Sequence, residues 1–132
     1  MKLFGLLAGA AFVLAVAFVL MLVFPAKAAG CPPGFAQANA SWYGNEHHGR
    51  LTASGEVFNE HDLTAAMPVR FMLGLRVQVL LDGKSVTVRI NDLGPNLRLR
   101  RDIDLSRGAA ERLGMIEQGM AVVCLRVIGR DT

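Results

Sequence analysis

The chain is short of the residues that most often announce a chemistry. Three histidines and two cysteines are its whole supply of imidazole and thiolate metal donors in 132 residues. His47 and His48 are adjacent, His61 stands apart, and Cys31 and Cys124 lie at opposite ends of the chain. None of these spacings is a zinc-ligand pattern, so neither a metal nor another cofactor is expected. One tryptophan and one tyrosine leave no basic stripe with interleaved aromatics, which argues against nucleic acid as a partner. Internal repeats and low-complexity tracts are missing, which excludes a solenoid and a long disordered tail. An excess of one charge is missing too. Setting aside Lys2 and Lys27 from the 14 basic residues leaves 12 against 11 acidic ones, so the basic character of the whole chain belongs mostly to its first 28 residues.

Those 28 residues read as a signal peptide. Lys2 supplies the positive start, Leu3 to Phe24 is apolar throughout, Pro25 interrupts it, and Ala26-Lys27-Ala28 fits a small-x-small cleavage site. The apolar run is long enough that an uncleaved anchor is the rival reading. Either way the remainder is expected outside the cytoplasm. Residues 29–132, about 100 of them, form one small domain, with 29–39 as a Pro- and Gly-containing lead-in and the fold proper over 40–129. Outside the cytoplasm Cys31 and Cys124 have three fates. A disulfide is the favoured one. Lipidation at Cys31 competes, because Ala28-Ala29-Gly30-Cys31 resembles the box before a lipoprotein cysteine, and free thiols complete the set.

The informative stretch is Ser85 to Ser106. Val86, Val88 and Ile90 alternate with Ser85, Thr87 and Arg89, the pattern of a strand with one apolar face. It runs into Asn91-Asp92-Leu93-Gly94-Pro95, turn chemistry that is expected to end the strand and leave Asp92 at a loop mouth. Asp104 follows in a short apolar stretch, with Arg98, Arg100 and Arg101 between the two acids. Two carboxylates on a stiff frame suit acid/base work, although turn formation and helix capping explain Asp equally well from these residues alone. Arg76–Leu81, Asp82-Gly83 and Ser85–Ile90 read as a hairpin. Ala40–Gly44 reads as the end of a first strand, Leu63–Ala66 as a brief one, and Ala121–Ile128 as the last, with Val123, Leu125 and Val127 on one face. Ser106 and Gly114 bracket a short helix as N-cap and C-terminal stop. Many short strands with one helix indicate a small closed barrel. Trp42 and Tyr43 point to opposite faces of the first strand, and one of them is a candidate platform for a sugar ring, core packing being the other use.

Five ordered blocks, SWYG (41–44), HGRLTASGEVF (48–58), LTAA (63–66), INDLGP (90–95) and DIDLSRGAAERLGMIEQG (102–119), together resemble the rare lipoprotein A (RlpA) family. The resemblance implies a six-stranded double-psi β-barrel, related to expansin barrels. It implies a lytic transglycosylase of the bacterial periplasm or cell envelope that cuts peptidoglycan glycan strands, preferably those lacking stem peptides, and leaves 1,6-anhydro-N-acetylmuramic ends. Residue by residue it makes Asp92 the acid/base group and Glu56 a second active carboxylate. Tyr43, His48, Asn91, Trp42 and Asp104 become cleft or substrate-binding residues. A monomer is expected. Two positions depart from the family: Met67 stands where a functional His follows Leu-Thr-Ala-Ala, and Leu93 stands where an Arg follows the Asp. Thioether moves no proton, so a non-catalytic, expansin-like wall-binding barrel is the alternative, and a small secreted inhibitor or structural envelope protein the third.

Overall fold

The computed structural model describes residues 30–131, so the expected signal segment lies outside the described residues. Among those described, no helix is long and apolar enough to cross a membrane. Six strands carry the fold: β1 (Ala36–Tyr43), β2 (Thr64–Met67), β3 (Leu75–Leu81), β4 (Lys84–Leu93), β5 (Ile103–Ser106) and β6 (Met120–Arg130). A helix, α1 (Arg107–Leu113), joins β5 to β6. The strands close a barrel in the order β1-β5-β2-β4-β3-β6. The β1/β5 and β2/β4 pairs are parallel and the other four antiparallel. This is the six-stranded double-psi barrel that the sequence implies.

The barrel interior is filled by alternating apolar side chains. Val77 and Val79 of β3, Val86, Val88 and Ile90 of β4, Ile103 and Leu105 of β5 and Val123 of β6 are all buried, with Ala109, Ala110 and Leu113 of α1 packed on them. The β3–β4 hairpin turns through Asp82 and Gly83, whose φ angles of 48° and 77° are the two positive values of a type I′ turn. One reading needs correction. β1 starts at Ala36, inside the stretch taken as lead-in. Its first inward positions are Ala38 and Ala40, whose small side chains carry almost no strand signal. Val127 shares the face of Leu125, opposite the buried Val77, but it is 49% exposed and stands on the wall of an apolar concavity with Phe35, Met72 and Leu125.

The decisive irregularity is in β4. The strand does not stop at Ile90 but runs through Asn91 and Asp92 to Leu93, and Gly94-Pro95, a cis peptide, follows. Against β2, Ala65 pairs with Ile90 but Ala66 pairs with Asp92. Asn91 is therefore an extra residue, a β-bulge. Strict alternation from Val86, Val88 and Ile90 would aim Asp92 into the core. The bulge turns it to the outer face, where Ala66 lies.

Cys31 and Cys124 are joined as a disulfide that spans 93 residues. Both sulfurs are used, which removes the free-thiol reading and a thioether-linked lipid at Cys31. Helix α1 is set by the expected caps: Ser106 Oγ accepts the Ala109 N–H at 3.2 Å, and Gly114 adopts the left-handed conformation. Its first turn lies hard against the chain before β2. A Cβ on Gly108 would stand 2.5 Å from the His61 carbonyl oxygen. Gly108→Ala is accordingly expected to cost about 1–3 kcal/mol and to lower the thermal midpoint by roughly 5 °C or more, measured by circular dichroism.

Candidate active site

The outer face of three neighbouring strands holds the acids. Asp92 on β4 and Asp104 on β5 both pair with Ala66 on β2, and Asp104 pairs in turn with Ser41 on β1. Partners in register point to the same face, so Asp92, Ala66, Asp104 and Ser41 form one row across the barrel wall. Strand spacing puts the two aspartates about 10 Å apart at Cα, with only the alanine methyl between them. Ser41 Oγ donates to Asp104 Oδ1 at 2.7 Å, and Arg101 Nη1 lies 3.2 Å from the same hydroxyl. Of the three arginines between the acids, Arg101 turns toward this row, while Arg98 and Arg100 are exposed.

The excursion between β1 and β2, residues 44–63, brings Glu56 to the same place. Its Thr52–Glu56 turn is fastened to the end of β4. The Ala53 N–H donates to Asp92 Oδ1 at 3.0 Å and the Ser54 N–H to the Asn91 carbonyl at 3.1 Å. Glu56 then meets Arg89 Nη1 at 2.6 Å and accepts from Asn91 Nδ2 at 3.0 Å. Asp92 Oδ1 also accepts the Leu93 N–H at 2.9 Å. Asp92 and Glu56, 36 positions apart in sequence, thus hang from adjacent residues of one strand end. The bulge makes this possible: Asn91 anchors the glutamate and Asp92 the turn backbone.

The electrostatics separate the carboxyl groups. Arg89 hydrogen-bonds the Glu56 carboxylate and holds it below the usual carboxylate range, against a smaller opposing effect of burial. Asp104 goes the other way: burial pushes its carboxyl up, and the Ser41 hydroxyl and Arg101 offset this only in part. Glu56 is therefore a standing negative charge. A depressed carboxylate stabilises the fold above its unfolded value of about 4.5 and loses that contribution as pH falls through the folded value. Arg89→Gln is expected to lower the thermal midpoint at pH 7 and to flatten its decline on acidification below about pH 4.5. The effect is small, because Glu56 is 41% exposed and the pair is screened. Melting curves across pH, parent against variant, measure it.

Arg89 is the site residue that the sequence reading passed over. It lies on the wet face of β4, two residues before Asn91, so the alternation already marked it. Its Nε also lies 3.3 Å from Asp131 Oδ2, and it borders a concavity of about 290 Å3 with Leu63, Arg76, Thr87 and Asp131. The other residues singled out are placed as follows. Tyr43 is buried, its ring stacked on Phe58 at 4.6 Å and edge-on to His47 at 5.5 Å. Trp42 is half-buried against the core on the opposite face of β1. His48 is exposed and accepts the Glu60 N–H at Nδ1, 3.1 Å away. Asn91 is buried, with its side chain on Glu56. Met67 packs against the core and pairs in register with Leu93, so the two departures from the family form a single cross-strand apolar pair.

Residues 35–125 match the family model described as "Lytic transglycolase". The chain is 46% identical over 97 residues to the endolytic peptidoglycan transglycosylase RlpA of Campylobacter jejuni, covering 71% of this chain and 34% of that protein. It is 40% identical over 104 residues to the RlpA of Vibrio cholerae, covering 76% and 38%. The chain thus spans little more than a third of the length of these relatives. Among solved structures it resembles the Streptomyces papain inhibitor, with a TM-score of 0.61 at 19% identity over 73% of this chain and 96% of that one. It also resembles an expansin of Clavibacter michiganensis, with a TM-score of 0.59 at 16% identity over 74% and 52%. These two likenesses concern the fold alone. With a family model matched across most of the barrel and an Asp–Glu site built on its blocks, the chain belongs to the RlpA-like lytic transglycolase family.

Proposed function

We propose that this barrel is an envelope lytic transglycosylase that cleaves peptidoglycan glycan strands, preferably those stripped of stem peptides, and leaves 1,6-anhydro-N-acetylmuramic ends. The observation that carries the reading is the junction of Asp92 and Glu56 at the bulged end of β4, held by Ala53, Asn91 and Arg89. The names of the relatives support it.

The reaction needs one group that gives a proton and takes one back, and no attacking water. Asp92 protonates the leaving glycosidic oxygen as the C1–O bond breaks. The C6 hydroxyl of the muramoyl sugar closes on C1, and its proton passes to the Asp92 carboxylate. Positive charge develops on the sugar ring in between. Glu56, kept ionised by Arg89, is the fixed negative charge that stabilises it. Asn91 and Arg89 hold that carboxylate in place. In this reading the wall strand is the partner, the bacterial envelope the location, and the monomer the working form.

A binding barrel without catalysis is the second reading, favoured by one observation: the Met67–Leu93 pair puts two apolar side chains where the family carries a His and an Arg. The two readings part in one experiment. The purified domain is incubated with peptide-free glycan strands and the products are weighed by mass spectrometry. Anhydro-ended fragments support the enzyme; intact strands retained on the protein support the binder and reject the enzyme.

A further inference from the structure

We propose that Arg76 and Arg89 form a carboxylate-binding subsite for the glycan strand, and that Asp131 is the chain's own stand-in for that carboxylate. The proposal deepens the reading above and rests on it for the identity of the ligand. Arg76 of β3 and Arg89 of β4 stand directly opposite each other in the antiparallel ladder. Both alternate with buried valines, so both face outward. Like charges in that position are destabilising. A carboxylate between them makes the pair tolerable: Asp131 Oδ1 lies 3.9 Å from Arg76 Nε, and Asp131 Oδ2 lies 3.3 Å from Arg89 Nε. All three residues border one concavity of about 290 Å3, together with Leu63 and Thr87.

The Asp131 carboxylate is seated but loosely held. Arg89 gives Nη1 to both Glu56 oxygens at 2.6 Å, whereas its Nε meets Asp131 only at 3.3 Å. A charge-assisted hydrogen bond runs at about 2.7–2.9 Å. The Asp131 contacts are therefore ion pairs that an incoming carboxylate can replace while Glu56 keeps its own nitrogen. The backbone brings Asp131 to this place. Its N–H donates to the Gly74 carbonyl at 2.9 Å, and the Arg130 guanidinium donates to the Leu73 and Phe71 carbonyls at 2.6 and 3.0 Å. The Asp131 side chain is 44% exposed, so it can turn into water without loss of that anchor.

A strand stripped of stem peptides supplies the ligand. Removal of the peptide from a muramoyl residue breaks the amide on its lactyl group and leaves a free carboxylate. A residue that keeps its peptide has a neutral amide there. Guanidinium edges suit a carboxylate, and Leu63 offers the lactyl methyl an apolar neighbour. The position also fits. Arg89 and Asp92 both face outward on β4, and the strand rise between them gives a separation on the order of 10 Å, less what the bulge takes up. A glycan strand lying along β4 with its glycosidic oxygen at Asp92 brings a neighbouring lactyl group within reach of the arginines. Selection then follows from charge: a carboxylate can replace Asp131 and an amide cannot.

The test compares peptide-free strands with the same strands after their carboxylates are coupled to methylamine. Both are offered to the protein carrying Asp92→Asn, so that nothing is cut. Charged strands are expected to bind about three- to fivefold more tightly, the scale of a partly exposed charge pair, and the gap is expected to close in high salt. Asp131→Asn removes the competing carboxylate and keeps the backbone anchor, so the gap is expected to widen. Arg76→Gln is expected to abolish it. Glu117→Gln makes the same charge change as Asp131→Asn in the exposed turn after α1, and is expected to leave the gap at its parent value. Equal binding of the two strands, a gap indifferent to Asp131→Asn, or one that widens as much with Glu117→Gln overturns the subsite. Anhydro-ended fragments from the parent without a gap support the enzyme and reject the subsite. A gap in a protein whose parent releases no such fragments supports the subsite and rejects the transglycosylase reading, so the two failures are distinguishable.

Discussion

Asp92→Asn is expected to lower the release of anhydro-ended fragments by at least about 100-fold, the usual scale for loss of a positioned acid/base group. The substitution isolates proton transfer from architecture. Asn keeps an oxygen at Oδ1 for the Ala53 and Leu93 N–H groups, so the Thr52–Glu56 turn stays docked on β4. Melting temperature and retention of intact strands are therefore expected to match the parent. Glu56→Gln is a different kind of loss. It removes one of the two carboxylates paired with Arg89 and, in the proposed mechanism, the negative charge that faces the developing oxocarbenium ion, so both stability and turnover are expected to fall. Full fragment release by Asp92→Asn removes this carboxylate from the chemistry.

Reduction of the disulfide, or its removal in a Cys31→Ser, Cys124→Ser double variant, is the largest expected effect on stability. The bond closes a loop of 93 residues, almost the whole described chain. Chain-entropy arithmetic for a loop of that length gives about 4–5 kcal/mol, and measured losses in small secreted domains run at about 2–5 kcal/mol. For a domain of about 100 residues this corresponds to a drop in thermal midpoint of more than about 10 °C. Calorimetry with and without reductant reads it directly. The location of the bond adds a reason. Cys124 sits in β6 opposite Gln37 of β1, so the bond fastens the chain just before β1 to the strand beside it. A midpoint unmoved by reductant would mean that strand pairing alone holds that end of the chain.

The barrel was largely legible in the sequence because its signals are local. Val86-Thr87-Val88-Arg89-Ile90 announces a strand, Asp82-Gly83 a hairpin, and Ser106 with Gly114 a capped helix. Pairing order and closure are not local, and they came from the resemblance of the five blocks. β1 was half hidden, since alanines carry no pattern. The site was legible in its parts but not in its joints. Asp92 and Glu56 stood out as motif residues, whereas the contacts that unite them cross more than 30 positions and leave no periodic trace. Arg89 was visible as a wet-face residue but not as a partner. The outward aim of Asp92 was beyond reach, because a bulge breaks the alternation on which strand reading depends.

That bulge makes the site sensitive to counting rather than to chemistry. A replacement at position 91 changes one side chain, but a deletion there removes the bulge: Asp92 would follow Ile90 directly and still face outward opposite Ala66, while the Asn91 amide that holds Glu56 and the carbonyl that holds the Ser54 N–H would be gone. Insertions in the open part of the excursion, around Asn45–Gly49, face no such arithmetic. Length variation among descendants of this sequence is therefore expected to gather in the loops and to spare the five residues from Arg89 to Leu93, even where their identities drift.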